Sequence, residues 1–163
     1  MAPGLEYSIM SEYGATIRWK RSKDEFIDDS YSRGHVWVFD GGLTVPASAS
    51  PDIVPLPMSV PENVDPEEAF VASLSSCHML FFLAIAAAAS FVVDEYTDAA
   101  TGYMQENFEG RTAITKVVLR PCATYSGERI PDKEKIEKMH HRAHRMCFIA
   151  NSVKTEVVTE IVS

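Results

Sequence analysis

The sequence predicts an α+β fold: a mainly antiparallel sheet, a long central apolar helix and a second helix. Three observations predict it. Alternating apolar and polar residues mark strands on both sides of a central segment. That segment, Phe70–Val93, has no charged residue and places Phe70, Leu74, Cys77, Phe81 and Ile85 at helical spacing. A second helical pattern opens at Pro131-Asp132 and is followed by a last alternating stretch.

Thr16–Lys20 reads as a strand with Ile17 and Trp19 on one face. His35–Phe39 is a β-rich run, and Asp40-Gly41-Gly42 turns it into Leu43-Thr44-Val45. Pro46–Pro61, rich in Pro, Ser and Ala, reads as an irregular surface loop. Asp65-Pro66-Glu67-Glu68 supplies a cap, a first-turn proline and two acids, a helix start. The helix is expected to reach about Ala89, with a break near Ser75-Ser76 as one option. Phe91–Phe108 and Thr112–Tyr125 read as two strand-like stretches around a turn at Glu109-Gly110. The second helix presents Ile136, Met139, Ala143, Met146 and Cys147 on one face and lysines and Glu137 on the other. The final strand sets Val153, Thr155, Val157, Thr159 and Ile161 against Lys154, Glu156 and Glu160. No linker divides the chain, so residues 1–163 are expected as a single domain.

Of the 163 residues, 46% are hydrophobic and 23% charged, the balance of a chain with a packed core. A net charge of −8 without a Lys/Arg cluster argues against nucleic acid as a partner. Met1–Met10 lacks the basic and apolar regions of a secretory signal. Phe70–Val93 is long enough to span a bilayer. Its internal serines, His78 and the acids at both ends favour a buried helix instead, so no membrane is expected. Cys77, Cys122 and Cys147 are too few and too widely spaced for a disulfide framework. A reducing, cytoplasmic location is expected, with cysteines that are either inert fillers or reactive thiols.

His140, His144 and Cys147 can share one helix face, a donor set that suits zinc or nickel. No fourth ligand is evident nearby, so no metal is expected. The chain has no phosphate-binding glycine loop and no Gly-x-Ser-x-Gly elbow. Residue spacing alone leaves two cysteines on two different helices.

These residues resemble the OsmC/Ohr family of organic hydroperoxide resistance proteins. The resemblance lies in Asp65-Pro66-Glu67-Glu68-Ala69-Phe70 followed by Ser75-Ser76-Cys77-His78, and in Ala143 to Ser152 around Cys147. It also lies in Ser32-Arg33-Gly34 ahead of a strand and Asp40-Gly41. It spans roughly Tyr31 to Val162. It implies a sheet wrapped around the central helix, an intertwined homodimer, and a thiol peroxidase needing no bound cofactor. Cys77 would be the peroxidatic thiol, Cys147 the resolving thiol, Arg33 a cation beside Cys77, and Glu67 the carboxylate holding Arg33. The substrate would be an organic hydroperoxide and the reductant a dithiol of the lipoyl type. The sequence departs from the family at His78, directly after Cys77, and in the Tyr-Ser-Arg-Gly-His setting of Arg33, which leaves His35 as a further polar candidate.

Glu67 and Cys77 stand ten residues apart. On a continuous helix this is about 15 Å of rise, too far to meet at one small site. Either the helix breaks, or Glu67 serves a site shared with a second subunit. The competing function is a non-catalytic member of the fold that binds a small apolar ligand or senses redox state. A metalloprotein using His140, His144 and Cys147 is the third reading.

Overall fold

The computed structural model describes residues 11–22 and 24–162. Met1–Met10, read above for a signal sequence, lies outside the described residues. Two compact units are present, one ending at Pro66 and the other beginning at Glu67.

The first unit is a three-stranded antiparallel sheet, β1 (Ala15–Arg18), β2 (His35–Phe39) and β3 (Thr44–Ala47), with β2 in the middle. The turn after β2 forms as its sequence demands. Phe39 N–H donates to Leu43 O at 2.9 Å, and Gly42 takes φ +86°, which a side chain would resist. The strand runs on through Pro46, which the sequence placed in the loop. Pro46 pairs with Val36 on the edge strand β3, where a missing N–H is tolerated.

Helix α1, Pro66–Ala88, belongs to the second unit from Glu67 onward. It is continuous through Ser75-Ser76, so of the two options the unbroken helix is the one that forms. The Ser75 hydroxyl donates to Asp98 Oδ2 at 2.5 Å, which satisfies it without disturbing the backbone. Leu74, His78, Phe82, Ile85 and Ala86 are buried, one stripe along the helix. The expected stretches each resolve into two strands: β4 (Val92–Asp98) and β5 (Thr101–Glu106), then β6 (Thr112–Leu119) and β7 (Pro121–Ser126). β4 pairs with β7, and β5 with β6, both antiparallel. Asp98 ties the two pairings together, since its Oδ1 accepts the Arg120 N–H at 2.6 Å between β6 and β7.

Helix α2 (Lys133–Met146) starts where the Asp132 carboxylate accepts the Lys135 N–H at 2.9 Å. A 3-10 turn, Ala150–Ser152, leads to β8 (Glu156–Thr159), which joins β6 in parallel. Two buried clusters lie along α1. Phe82, Ile85 and Ala86 pack with Met139 and Ala143 of α2 and half-buried residues of β4 and β7. Leu74 packs with Val117 and Leu119 of β6. The fold is α+β with mainly antiparallel sheets, as its sequence implies.

Candidate redox site

Cys77 flanks the buried stripe of α1, one turn after Leu74, and is half-buried. Cys147 follows the last residue of α2 and is sealed, at 1% exposure. Its backbone is pinned. The Cys147 N–H donates to Ala143 O and His144 O, and its carbonyl accepts the Asn151 N–H. The Ala150 N–H donates to its Sγ at 3.4 Å.

The two thiols lie close enough to interact electrostatically, since Cys77 is one of the groups that shift the Cys147 thiol. All three cysteines are free thiols. Burial, and then the Cys77 thiol beside it, push the Cys147 thiol up to about 11. At neutral pH Cys147 therefore carries its proton and can donate it. The pair is asymmetric: one sulfur is reachable from solvent, the other is enclosed and protonated. Cys122 lies apart in β7, opposite Thr97.

A second pair of side chains joins the same two helices. His78 Nε2 and His140 Nδ1 are 2.9 Å apart, with both rings buried and nearly parallel (8°). The His140 ring also stacks on Phe82, 4.1 Å between centroids. Burial pushes both imidazoles down to about 4, so both are neutral at pH 7. His144 adds to the depression at His78, and Asp98 opposes it. Sequence reasoning grouped His140 with His144 and Cys147. The signal it passed over was the spacing of Leu74, His78 and Phe82, four residues apart on one stripe. Met146, expected on the apolar face, is 37% exposed. Among the described residues no group of three or more His, Cys, Asp or Glu is arranged to hold a metal ion.

Arg33 belongs to the first unit. Its guanidinium bonds the Asp29 carboxylate at 2.6 Å, donates to the Asp29 and Tyr31 carbonyls, and lies 3.7 Å over the Tyr31 ring. The carboxylate on Arg33 within its own unit is thus Asp29, four residues earlier. His35 braces the segment from the other side. Trp37 Nε1–H donates to His35 Nε2 at 2.9 Å, which leaves the ring proton on Nδ1 to donate to Arg33 O at 2.8 Å. Trp19, Phe26, Tyr31, Arg33 and His35 line an apolar cavity of about 450 Å³. Glu67 belongs to the second unit, half-buried in the first turn of α1. Because α1 is unbroken, Glu67 and Cys77 cannot meet at one small site on the same helix.

Residues 60–162 match the OsmC-like protein family. No curated protein matches the chain. Among solved structures, an OsmC-like protein of unknown function from Vibrio cholerae is 58% identical, over 94% of this chain and 100% of its own, with a TM-score of 0.93. An organic hydroperoxide resistance protein from Elizabethkingia anophelis is 18% identical, over 94% of this chain and 96% of its own, at a TM-score of 0.66. One named as an organic hydroperoxide resistance protein from Legionella pneumophila is 14% identical, over 93% and 96%, also at 0.66. The last two share the fold.

Proposed function

Since the chain belongs to the OsmC-like protein family, we propose that it is a thiol peroxidase reducing organic hydroperoxides through a Cys77–Cys147 disulfide. The observation that carries this reading is the pair of interacting thiols of unequal exposure, Cys77 half-buried and Cys147 sealed. An oxidant meets Cys77 first, and Cys147 waits behind it with its proton.

The Cys77 thiolate attacks one peroxide oxygen. The O–O bond breaks, and the organic fragment leaves as the alcohol after taking a proton. Cys77 becomes a sulfenic acid. Cys147 attacks that sulfur, the S–S bond forms, and water leaves with the Cys147 proton. An external dithiol of the lipoyl class reopens the disulfide by exchange and is itself oxidised to a disulfide. No bound cofactor is needed.

Arg33 is assigned the cationic role: a guanidinium beside Cys77 favours the thiolate and donates to the peroxide oxygens. Glu67 is assigned to the site of a second copy of the chain, an intertwined homodimer. The unbroken α1 supports that assignment, as does its apolar face outside the buried stripe, where Leu80 is 60% exposed. The enzyme is assigned to the cytoplasm.

Peroxide consumption with cumene hydroperoxide and dihydrolipoamide tests the reading. Turnover that disappears in Cys77→Ser supports it. The aromatic cavity lined by Trp19, Phe26, Tyr31 and Arg33 favours a second reading, a non-catalytic binder of a small apolar ligand. A thermal shift on adding a fatty acid, with no peroxide turnover, selects that one.

A further inference from the structure

The thiols and the imidazoles sit on the same two helices at neighbouring positions. His78 directly follows Cys77 on α1, and His140 precedes Cys147 by seven residues, about two turns of α2. Both histidines are buried, 1% and 2% exposed, and their bond crosses from α1 to α2.

Burying two imidazoles is a poor way to gain stability. Each leaves water for one shared hydrogen bond, and His78 Nδ1 has no protein partner. Two leucines there would bury apolar surface at no such cost. What the leucines would lack is direction. The rest of the described packing between the helices is apolar, through Phe82, Ile85, Ala86, Met139 and Ala143 with half-buried Phe81, Leu83 and Ile136 against them. Apolar contact is non-directional. Apolar side chains flank the buried stripe on both sides, with Phe81 and Leu83 already packed against the same cluster, so apolar contact alone sets the rotation of α1 only loosely. A slip of one residue moves a side chain about 1.5 Å along the helix and 100° around it. A disulfide tolerates little of this, because its Cβ atoms must approach to roughly 3.5–4.5 Å.

We propose that the His78–His140 hydrogen bond is a register pin for the redox pair: it fixes the rotation and offset of α1 against α2 at which Cys77 and Cys147 meet. His78 and His140 are positioning residues for disulfide formation. This rests on the two-cysteine cycle proposed above and names what enforces its geometry.

The test is an equilibrium that needs no peroxide. The protein carrying Cys122→Ser is brought to equilibrium in reduced and oxidised glutathione, and the Cys77–Cys147 disulfide is quantified by intact mass. The effective concentration of one thiol at the other follows from the ratio. In H78L/H140L it is expected to fall at least tenfold while the melting temperature holds or rises. In H78Q/H140N, whose amides stand in for Nε2 of His78 and Nδ1 of His140, it is expected to return towards wild type. If H78L/H140L does not fold, H78Q/H140F gives the same readout with an aromatic ring kept on Phe82. An unchanged effective concentration in a folded variant lacking the bond overturns the pin alone. A wild type that forms no Cys77–Cys147 disulfide in glutathione overturns the cycle and the pin together.

Discussion

The Cys147 thiol interacts with the Cys77 thiol, and burial, with Cys77 after it, pushes Cys147 up to about 11. A sulfur so enclosed is poorly placed for first contact with an oxidant; its closeness to Cys77 places it to attack a sulfenic acid there once its proton has left. The order of events in the proposed cycle follows from that asymmetry.

Removing each sulfur therefore has a distinct outcome. Cys77→Ser abolishes peroxide reduction. Cys147→Ser permits one turnover and then stalls, with Cys77 proceeding to sulfinic acid. Cys122→Ser changes turnover little, since Cys122 lies in β7 apart from the pair. Steady-state peroxide consumption together with mass analysis of the spent protein separates the three.

Acid should weaken the second unit. His78 and His140 titrate at about 4 when folded and near 6.5 in the unfolded chain. Between those values the unfolded chain binds more protons, so stability falls as pH falls. The contribution is complete above pH ~6.5 and gone by pH ~4. The expected loss is about 2 kcal/mol or more, given 1.36 kcal/mol per pKa unit. Urea midpoints across that range measure it, and H78L/H140L should flatten the dependence.

Arg33→Ala should lower kcat/KM for cumene hydroperoxide by about 100-fold, the usual cost of losing a charge-stabilising donor. Asp29→Ala should cost less, about threefold to tenfold, because Tyr31 still stacks beneath the guanidinium and accepts from it. Its melting temperature should fall modestly: the side chain is 77% exposed, but alanine is strained at the φ of +66° that Asp29 adopts. A large thermal shift with unchanged kinetics would assign Asp29 to folding instead.

Gly102 in β5 has no room for a side chain. A Cβ there would stand 2.7 Å from Val71 Cγ2 of α1 and 3.4 Å from Ile114. Gly102→Ala should cost about 1–3 kcal/mol, read as a lower urea midpoint. Gly102→Ala with Val71→Ala should recover part of it.

Several of these features were legible in the sequence because they are local. Asp40-Gly41-Gly42 demands a turn, Asp65-Pro66 and Pro131-Asp132 demand helix starts, and the structure has all three. The cysteine pair was reachable only through family resemblance, because nothing in the spacing of residues 77 and 147 says that their helices meet. The His78–His140 bond was hidden for the same reason: a histidine on an apolar helix looks alike whether it is packed or solvated. Asp29 gave no signal because it lies in an irregular segment where periodicity is silent. The division of residues 91–108 into β4 and β5 depends on Asp98, whose partners Ser75 and Arg120 come from distant parts of the chain.

Reduced protein treated with one equivalent of cumene hydroperoxide, then mass-analysed intact and by peptide mapping, tests the central claim most directly. The account predicts a loss of two hydrogens and one cross-linked peptide joining Cys77 to Cys147. A disulfide that involves Cys122, or oxygen retained on Cys77 with Cys147 still a free thiol, would contradict it.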